Sequence, residues 1–178
     1  MPRFEEGFLV LDFDRKWHIL KLDEHRDYRE RMERVDETKA VDFAGILSRR
    51  DLYLIEVKDF RQYRIETQDR LSSGELAIEL AQKVRDSVAC IIGAHFTSST
   101  PEDWKPFAET LCNQTRQIRV VLWLEHDLPS HPQQRKKALD SIRANVFKQK
   151  LAWLTKRILV CGSKKDGLPG LQVSNLPR

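Results

Sequence analysis

The stretches KAVDFAGIL (39–47) and LYLIEVKDF (52–60), joined by SRRD, decide the fold of this chain. Each apolar run has the length and residue types typical of a β-strand, and the short connection predicts a hairpin. The two strands carry Asp42, Glu56 and Lys58 among apolar neighbours. Because a buried charge without a partner costs several kcal/mol, we expect a partner or a metal ion to compensate these side chains.

The parity of the hairpin predicts that the three charged side chains share one face of a sheet. Successive side chains of a strand alternate between faces, so Glu56 and Lys58 point the same way. With a loop of residues 48–50, the indices of opposed residues sum to 98, which places Asp42 opposite Glu56; a two-residue loop would put them on opposite faces. Their Cβ atoms would then lie about 4.5–5.5 Å apart. Two carboxylates at that distance repel each other unless they share a proton or bind a divalent cation.

Asp42, followed on the next strand by Glu56-Val57-Lys58, resembles the motif of the PD-(D/E)xK nuclease superfamily, although Val41 replaces the proline of the motif. The resemblance covers roughly residues 24–124 and implies an α/β fold: a single domain with a restriction-endonuclease-like mixed β-sheet, flanked by helices in the order αβββαβ. It also implies that Asp42 and Glu56, with the backbone carbonyl of Val57, hold Mg²⁺ or Mn²⁺. Lys58 would orient or activate the attacking water.

The function implied by this resemblance is metal-dependent hydrolysis of phosphodiester bonds in nucleic acid, with DNA favoured by the habits of the family. The alternative is a catalytically inactive, nuclease-like interaction protein within a bacterial complex. A third interpretation is that Glu56 and Lys58 are solvated cross-strand charges, which are common on strands. Nucleases often act as dimers, so a homodimer is possible, but the sequence indicates no specific dimer surface.

Length and composition predict one domain, 1–178, in a cytoplasmic protein. A chain of 178 residues with 40% hydrophobic and 33% charged residues is typical of a globular domain with a charged surface. No run approaches the ~18 apolar residues of a membrane span, and the N-terminus lacks the form of a signal peptide. Cys90, Cys112 and Cys161 are widely spaced in apolar surroundings. We therefore expect buried free thiols in a reducing compartment.

The positive charge of the chain is concentrated near its C-terminus. Residues 131–178 contain eleven Lys and Arg against two acids, whereas the rest of the chain has more acids than bases. Such a basic C-terminal segment predicts a surface that contacts nucleic-acid phosphates. The candidate contact residues are Lys136, Lys137, Arg143 and Lys148. A solvated basic helix without a ligand is the other interpretation.

Residues 7–13 and 16–22 are predicted to form a hairpin, followed by a charged helix after Asp23 with Tyr28, Met32 and Val35 facing inward. Glu24 lies on the same face of that helix. Because the family often adds an acid from its first helix, Glu24 is an additional candidate metal ligand. It is also explained as a first-turn acid that the helix dipole favours.

The remaining elements alternate in type along the chain. Ser72-x-x-Glu75 is a capping-box pattern that predicts a long helix, on which Gln82 and Lys83 are expected at the surface. We further predict a buried strand at 118–124, a helix at 133–154 with Val146 and Trp153 inward, and a final strand pair. That pair is expected to join residues 158–161 with 171–174.

Overall fold

Eight β-strands, three α-helices and one π-helical turn make up the computed structural model, which describes residues 1–61, 74–125, 145–163 and 167–176. The strands are β1 (Arg3–Glu6), β2 (Leu9–Phe13), β3 (Trp17–Lys21), β4 (Phe43–Leu47), β5 (Asp51–Asp59), β6 (Ile118–Glu125), β7 (Ile158–Cys161) and β8 (Leu171–Asn175). The helices are the π-helical turn Tyr28–Met32, α1 (Glu75–Thr97), α2 (Pro101–Cys112) and α3 (Asn145–Leu151). The chain is therefore of mixed α/β class.

A five-stranded mixed sheet lies at the centre, in the order β3-β4-β5-β6-β7. The pairs β3–β4 and β4–β5 are antiparallel, whereas the pairs β5–β6 and β6–β7 are parallel. In the β4–β5 hairpin, Phe43 pairs with Ile55 and Leu47 pairs with Asp51, across a turn at residues 48–50. This register has the predicted index sum, so the hairpin prediction is confirmed.

The two faces of the central sheet pack against different layers. The helices α1 and α2 cover one face, where Leu52 and Leu54 of β5 are buried. A three-stranded sheet in the order β1-β2-β8 covers the other face, where Tyr53 and Ile55 are buried. Alternation along β5 therefore directs its even-numbered side chains toward the helices. The predicted α/β class is confirmed, and the helices flank one face of the sheet while the small sheet covers the other.

Two predicted strand pairings are wrong. The strands β2 and β3 do not form a hairpin: β2 pairs with β1 and β8, and β3 pairs with β4. Likewise, β7 extends the central sheet beside β6, whereas β8 joins β2 in the small sheet. In both cases the chain crosses from one sheet to the other. Each strand then packs against an apolar layer that it would not cover in a local hairpin.

The helical predictions are partly confirmed. The segment after Asp23 forms a short π-helical turn and leaves Val35 exposed, so the longer helix is wrong. The helix α1 begins at Glu75 after Gly74, while Ser72 lies outside the described residues. In the helix α3, Phe147 and Leu151 are buried, and the predicted inward residues Val146 and Trp153 are exposed. Only residues from 145 onward of the predicted 133–154 helix are described.

All three cysteines are free, as predicted. Cys90 and Cys161 are buried, whereas Cys112 is exposed at the end of α2, contrary to the expectation of three buried thiols. Within the described ranges, no helix has both the length and the apolar character needed to cross a membrane.

Candidate functional site

Asp42 and Glu56 meet where the β4–β5 hairpin opens at the edge of the helical layer. Asp42 immediately precedes β4, and its Oδ2 accepts a hydrogen bond of 2.6 Å from the backbone N–H of Val57. Both carboxylates are buried, with relative exposures of 6% for Asp42 and 1% for Glu56. The strand register thus brings together the two acids that the sequence placed opposite each other. The part assigned to the carbonyl of Val57 stays a prediction.

Two lysines converge on one oxygen of Glu56. Lys58 Nζ lies 3.0 Å from Glu56 Oε1 and 2.9 Å from Glu79 Oε1 on α1. Lys83 Nζ lies 2.6 Å from the same Glu56 oxygen and 3.9 Å from Asp42 Oδ1. The placement of Lys83 on the surface is therefore wrong: this side chain forms an ion pair at the centre of the cluster.

A polar seam along α1, formed by Glu79, Lys83, Asp86 and Ser87, explains how Lys83 reaches the cluster and how Asp42 is held. Ser87, one turn after Lys83, accepts a hydrogen bond of 2.9 Å from the backbone N–H of Val41 and donates one of 2.7 Å to the carbonyl of Lys83. Asp86 accepts a 3.1 Å bond from the backbone N–H of Lys39. The helix thereby fixes the chain just before Asp42. Polar residues recurring at i, i+4, i+7 and i+8 from Glu79 were the sequence signal for this seam.

Two further acids approach Asp42 from outside the motif. Glu6 at the end of β1, Asp23 after β3 and Asp42 each offer a carboxylate oxygen, and the three oxygens lie within 4.8 Å of one another. Lys21 holds Glu6 in place through a 2.9 Å ion pair. Glu24, the additional candidate ligand, is exposed and pairs with Lys21 at 2.8 Å, outside this group. Sequence reasoning missed both acids: Asp23 approaches Asp42 through the pairing of β3 with β4, and Glu6 through the packing of the small sheet.

Burial and neighbouring negative charge raise the pKa of two acids of the cluster, Asp42 and Asp23, and favour the protonated form of Asp42 at neutral pH. Burial, together with the charge of Glu56, raises the pKa of Asp42 to about 8, although Lys83 and the N–H of Val57 oppose this shift. Burial and the charge of Glu6 raise the pKa of Asp23 to about 6. Burial alone would lower the pKa of Lys58, but the charge of Glu56 and the hydrogen bonds to Glu79 and Glu56 outweigh it and raise the pKa.

Two buried carboxylate oxygens of the cluster have no hydrogen-bond partner among the described residues: Oε2 of Glu56 and Oδ1 of Asp23. A buried oxygen without a partner is costly, and native proteins rarely keep one without a reason. Hard divalent cations such as Mg²⁺ and Mn²⁺ prefer carboxylate oxygens as ligands. The three grouped oxygens of Glu6, Asp23 and Asp42 therefore fit such an ion, whereas Glu56 is not part of that group.

A cavity of about 650 Å³ adjoins the cluster. Its wall includes Asp23, Glu79 and Lys83, which also belong to the carboxylate–lysine cluster. The cavity therefore gives a small molecule, or part of a larger one, a route to Asp23, Glu79 and Lys83, whereas Asp42 and Glu56 do not line it.

The predicted nucleic-acid-binding residues lie mostly outside the described part of the chain. Lys136, Lys137 and Arg143 are not described, whereas Lys148 is exposed on α3. Their role in binding stays a prediction.

No protein-family model, no curated protein and no solved structure matches this chain. The likeness to the nuclease superfamily consequently depends on the motif residues and their surroundings alone.

Proposed function

We propose that this protein is a metal-dependent nuclease that hydrolyses phosphodiester bonds in nucleic acid, with DNA favoured by the family resemblance. The observation that carries the proposal is the buried pair Asp42 and Glu56, in which one oxygen of Glu56 has no hydrogen-bond partner among the described residues, although two ammonium groups contact the other. Buried carboxylates whose charges repel each other are typical of sites that serve chemistry rather than stability.

The topology around the pair supports the same proposal. The strands β3, β4 and β5 form an antiparallel meander, α1 follows, and β6 returns parallel to β5. This agrees with the βββαβ part of the order expected for the superfamily. The departures are the helical turn Tyr28–Met32, which lies between β3 and β4 instead of before the first strand, and α2, which lies between α1 and β6.

A Mg²⁺ or Mn²⁺ ion would be held by Asp42 and Glu56, with Asp23 and Glu6 as further carboxylates within reach. When bound, such an ion lowers the pKa of a coordinated water and neutralises charge on the phosphate. Lys58, next to Glu56, is placed to orient water or to stabilise the charge of the transition state. Lys83 contacts the same carboxylate and adds a second positive charge facing the reacting phosphate.

The decisive experiment combines metal titration with cleavage. Calorimetry with Mn²⁺ should give saturable binding to the wild-type protein and none to the double variant Asp42→Ala/Glu56→Ala. The wild type should also cut at least one member of a panel of single-stranded, duplex and branched DNA and RNA, and chelation should stop the reaction. Cleavage that persists in the double variant would assign the activity to a contaminant or to another site.

A second function, that of an inactive nuclease-like interaction protein, is favoured by one specific contact. Lys83 Nζ lies only 2.6 Å from Glu56, so an ammonium group already neutralises this carboxylate without a metal. If neither Mg²⁺ nor Mn²⁺ binds and no nucleic acid is cut, the cluster is a structural ion network, and this second function replaces the first.

A further inference from the structure

The cavity beside the carboxylate cluster is larger than a metal site needs, and three cations and three acids line its wall. Besides Lys83, the positively charged side chains of Arg29 and Lys39 line it. The Nε of Arg29 donates a 3.2 Å hydrogen bond to the backbone carbonyl of Asp23, which keeps this guanidinium next to the acids. Lys39 is exposed, and Asp86 holds its backbone N–H.

The carboxylates of the wall are largely engaged with other groups. Asp23 belongs to the acids around Asp42, and Glu79 forms an ion pair with Lys58 at 2.9 Å. Glu33 is the remaining acid of the wall. With Asp23 directed toward the inner acids and Glu79 paired with Lys58, Arg29 and Lys39 are the wall groups that favour a phosphate-bearing ligand.

The volume of the cavity limits what can enter it. About 650 Å³ falls within the range of roughly 300–1,000 Å³ typical of pockets for small ligands, which includes a single nucleotide. A duplex is far too wide to enter, since its major groove alone measures about 12 Å across. A nucleotide can reach such a pocket only if it is unpaired or is taken out of the base stack.

We propose that the cavity binds one unpaired nucleotide next to the phosphodiester that is hydrolysed, so that the substrate is single-stranded nucleic acid or an unpaired end. This inference rests on the proposed nuclease function. The scissile phosphate would lie beside Lys83 and the acids, and the neighbouring nucleotide would extend toward Arg29 and Lys39. Arg29 and Lys39 are then determinants of specificity that contact the strand but not the metal.

The test measures binding in a Lys58→Ala background, where cleavage does not consume the probe. Fluorescence anisotropy with Mg²⁺ compares a labelled 20-nucleotide single strand, the fully paired duplex of the same sequence, and that duplex with an unpaired flap. We expect the single strand and the flap to bind about tenfold more tightly than the duplex. Arg29→Ala/Lys39→Ala should weaken binding of the single strand about tenfold, the scale expected when one or two phosphate contacts are removed.

The matched control is Arg15→Ala/Lys16→Ala, which removes the same charge from exposed positions outside residues 131–178, beside the turn at residues 48–50 and away from the carboxylates. It should change binding of the single strand less than twofold, and Arg29→Lys should keep most of the affinity. Thermal unfolding of each variant checks that it is folded. DNA and RNA versions of each probe show which sugar is preferred.

Equal binding of all three probes, absence of binding, or equal losses of affinity in the cavity and control variants would overturn the inference. Metal binding and cleavage of duplex by the wild type would in that case leave the proposed nuclease function intact. The reverse outcome, a single strand bound through Arg29 and Lys39 with neither metal binding nor cleavage, would overturn the nuclease function instead.

Discussion

Glu56 has the least exposed carboxylate among the described residues, and its two oxygens have opposite surroundings. Oε1 contacts the ammonium groups of Lys58 and Lys83, whereas Oε2 has no partner within the described part of the chain. A buried ion pair that served stability alone would satisfy both oxygens, because each unsatisfied buried oxygen destabilises the fold. The asymmetry is what a site open to one more ligand requires.

The raised pKa of Asp42 predicts how stability changes with pH in the metal-free protein. The folded pKa of about 8 lies above the ordinary aspartate value of 3.8, so the folded state holds the proton more strongly than the unfolded state. The stabilisation due to this proton is fully present below the unfolded pKa, and it disappears as the pH rises through the folded pKa. Asp42→Asn should therefore be more stable than the wild type, by about 1–3 kcal/mol at pH 8.

Chemical denaturation in the presence of a chelator between pH 4 and 9 measures this difference. It should grow from pH 4 to 8 and then level off, because the wild-type carboxyl is neutral at the acid end and charged at the alkaline end. The control Asp36→Asn removes an exposed carboxylate and should change stability little at any pH. A wild-type protein that is stabilised as the pH rises from 5 to 8 relative to Asp42→Asn would contradict the expected sign.

Substitutions of Lys58 and of Glu56 should separate the loss of cleavage from the loss of metal binding. Lys58→Ala should abolish cleavage and leave Mn²⁺ binding largely intact, because the ammonium group is not a ligand, whereas Glu56→Ala should lose both. Single-turnover cleavage at saturating metal and calorimetry measure the two properties, with Lys105→Ala as an exposed control. Full activity of Lys58→Ala would show that Lys58 has no role in the chemistry.

At the scale of the elements, local pattern predicted the hairpin that carries the site but not what surrounds it. Alternation and loop length were sufficient for the register of β4 and β5, since both depend only on neighbouring residues. The pairing of β8 with β2, and the approach of Glu6 to Asp42, join segments far apart in the chain. Such contacts depend on how whole layers pack against each other. The spacing of apolar residues along a strand or a helix, with a period of two or 3.6 residues, does not encode this packing.

Lys83 shows the same limit within a helix. Its position beside the apolar stripe of α1 was compatible with a solvated lysine, because long cationic side chains commonly lie at the edge of a buried face. Only the crossing of α1 over the open end of the β4–β5 hairpin brings its ammonium group to Glu56. The helix therefore contributes to the site through its packing and not through a motif.

Two glycines in different elements should respond oppositely to the same substitution. A Cβ at Gly162, directly after β7, would lie 2.5 Å from the backbone carbonyl oxygen of Leu124. Because backbone cannot turn aside as a side chain can, Gly162→Ala should destabilise the protein by about 1–3 kcal/mol. Gly93→Ala, within α1 and with nothing within 4 Å of the new methyl group, should stabilise it by about 0.5–1 kcal/mol.

Urea unfolding of both variants and the wild type measures these effects, with each serving as the control for the other. If Gly162→Ala unfolds at the same urea concentration as the wild type, the β6 and β7 ends are not in the close contact that the structure gives them.

At the scale of the whole molecule, the negative charge of the candidate site and the positive charge of the basic C-terminal segment come from different parts of the chain. The site draws its carboxylates from residues 6–56, whereas residues 131–178 carry an excess of nine positive charges. If the protein binds nucleic acid as proposed, we expect lysines of the basic segment to neutralise phosphates in addition to those at the site. Affinity should then depend steeply on salt even though the reaction is confined to the carboxylates.

The charge reversal Lys136→Glu/Lys137→Glu/Lys148→Glu should weaken binding of nucleic acid of any sequence to a similar extent, because phosphate contacts position a strand without reading it. It should also flatten the dependence of log K on log salt, by about 0.9 for each phosphate that is no longer neutralised on duplex and about 0.7 on single strands. Anisotropy titrations across a series of salt concentrations measure both quantities.

The control is the triple reversal Arg15→Glu/Lys16→Glu/Lys105→Glu, at exposed positions outside the basic segment. Because both variants change the net charge equally, a shared decrease in affinity would indicate only the global field of the protein, whereas a flatter slope confined to the first variant would locate the phosphate-binding lysines on the basic segment.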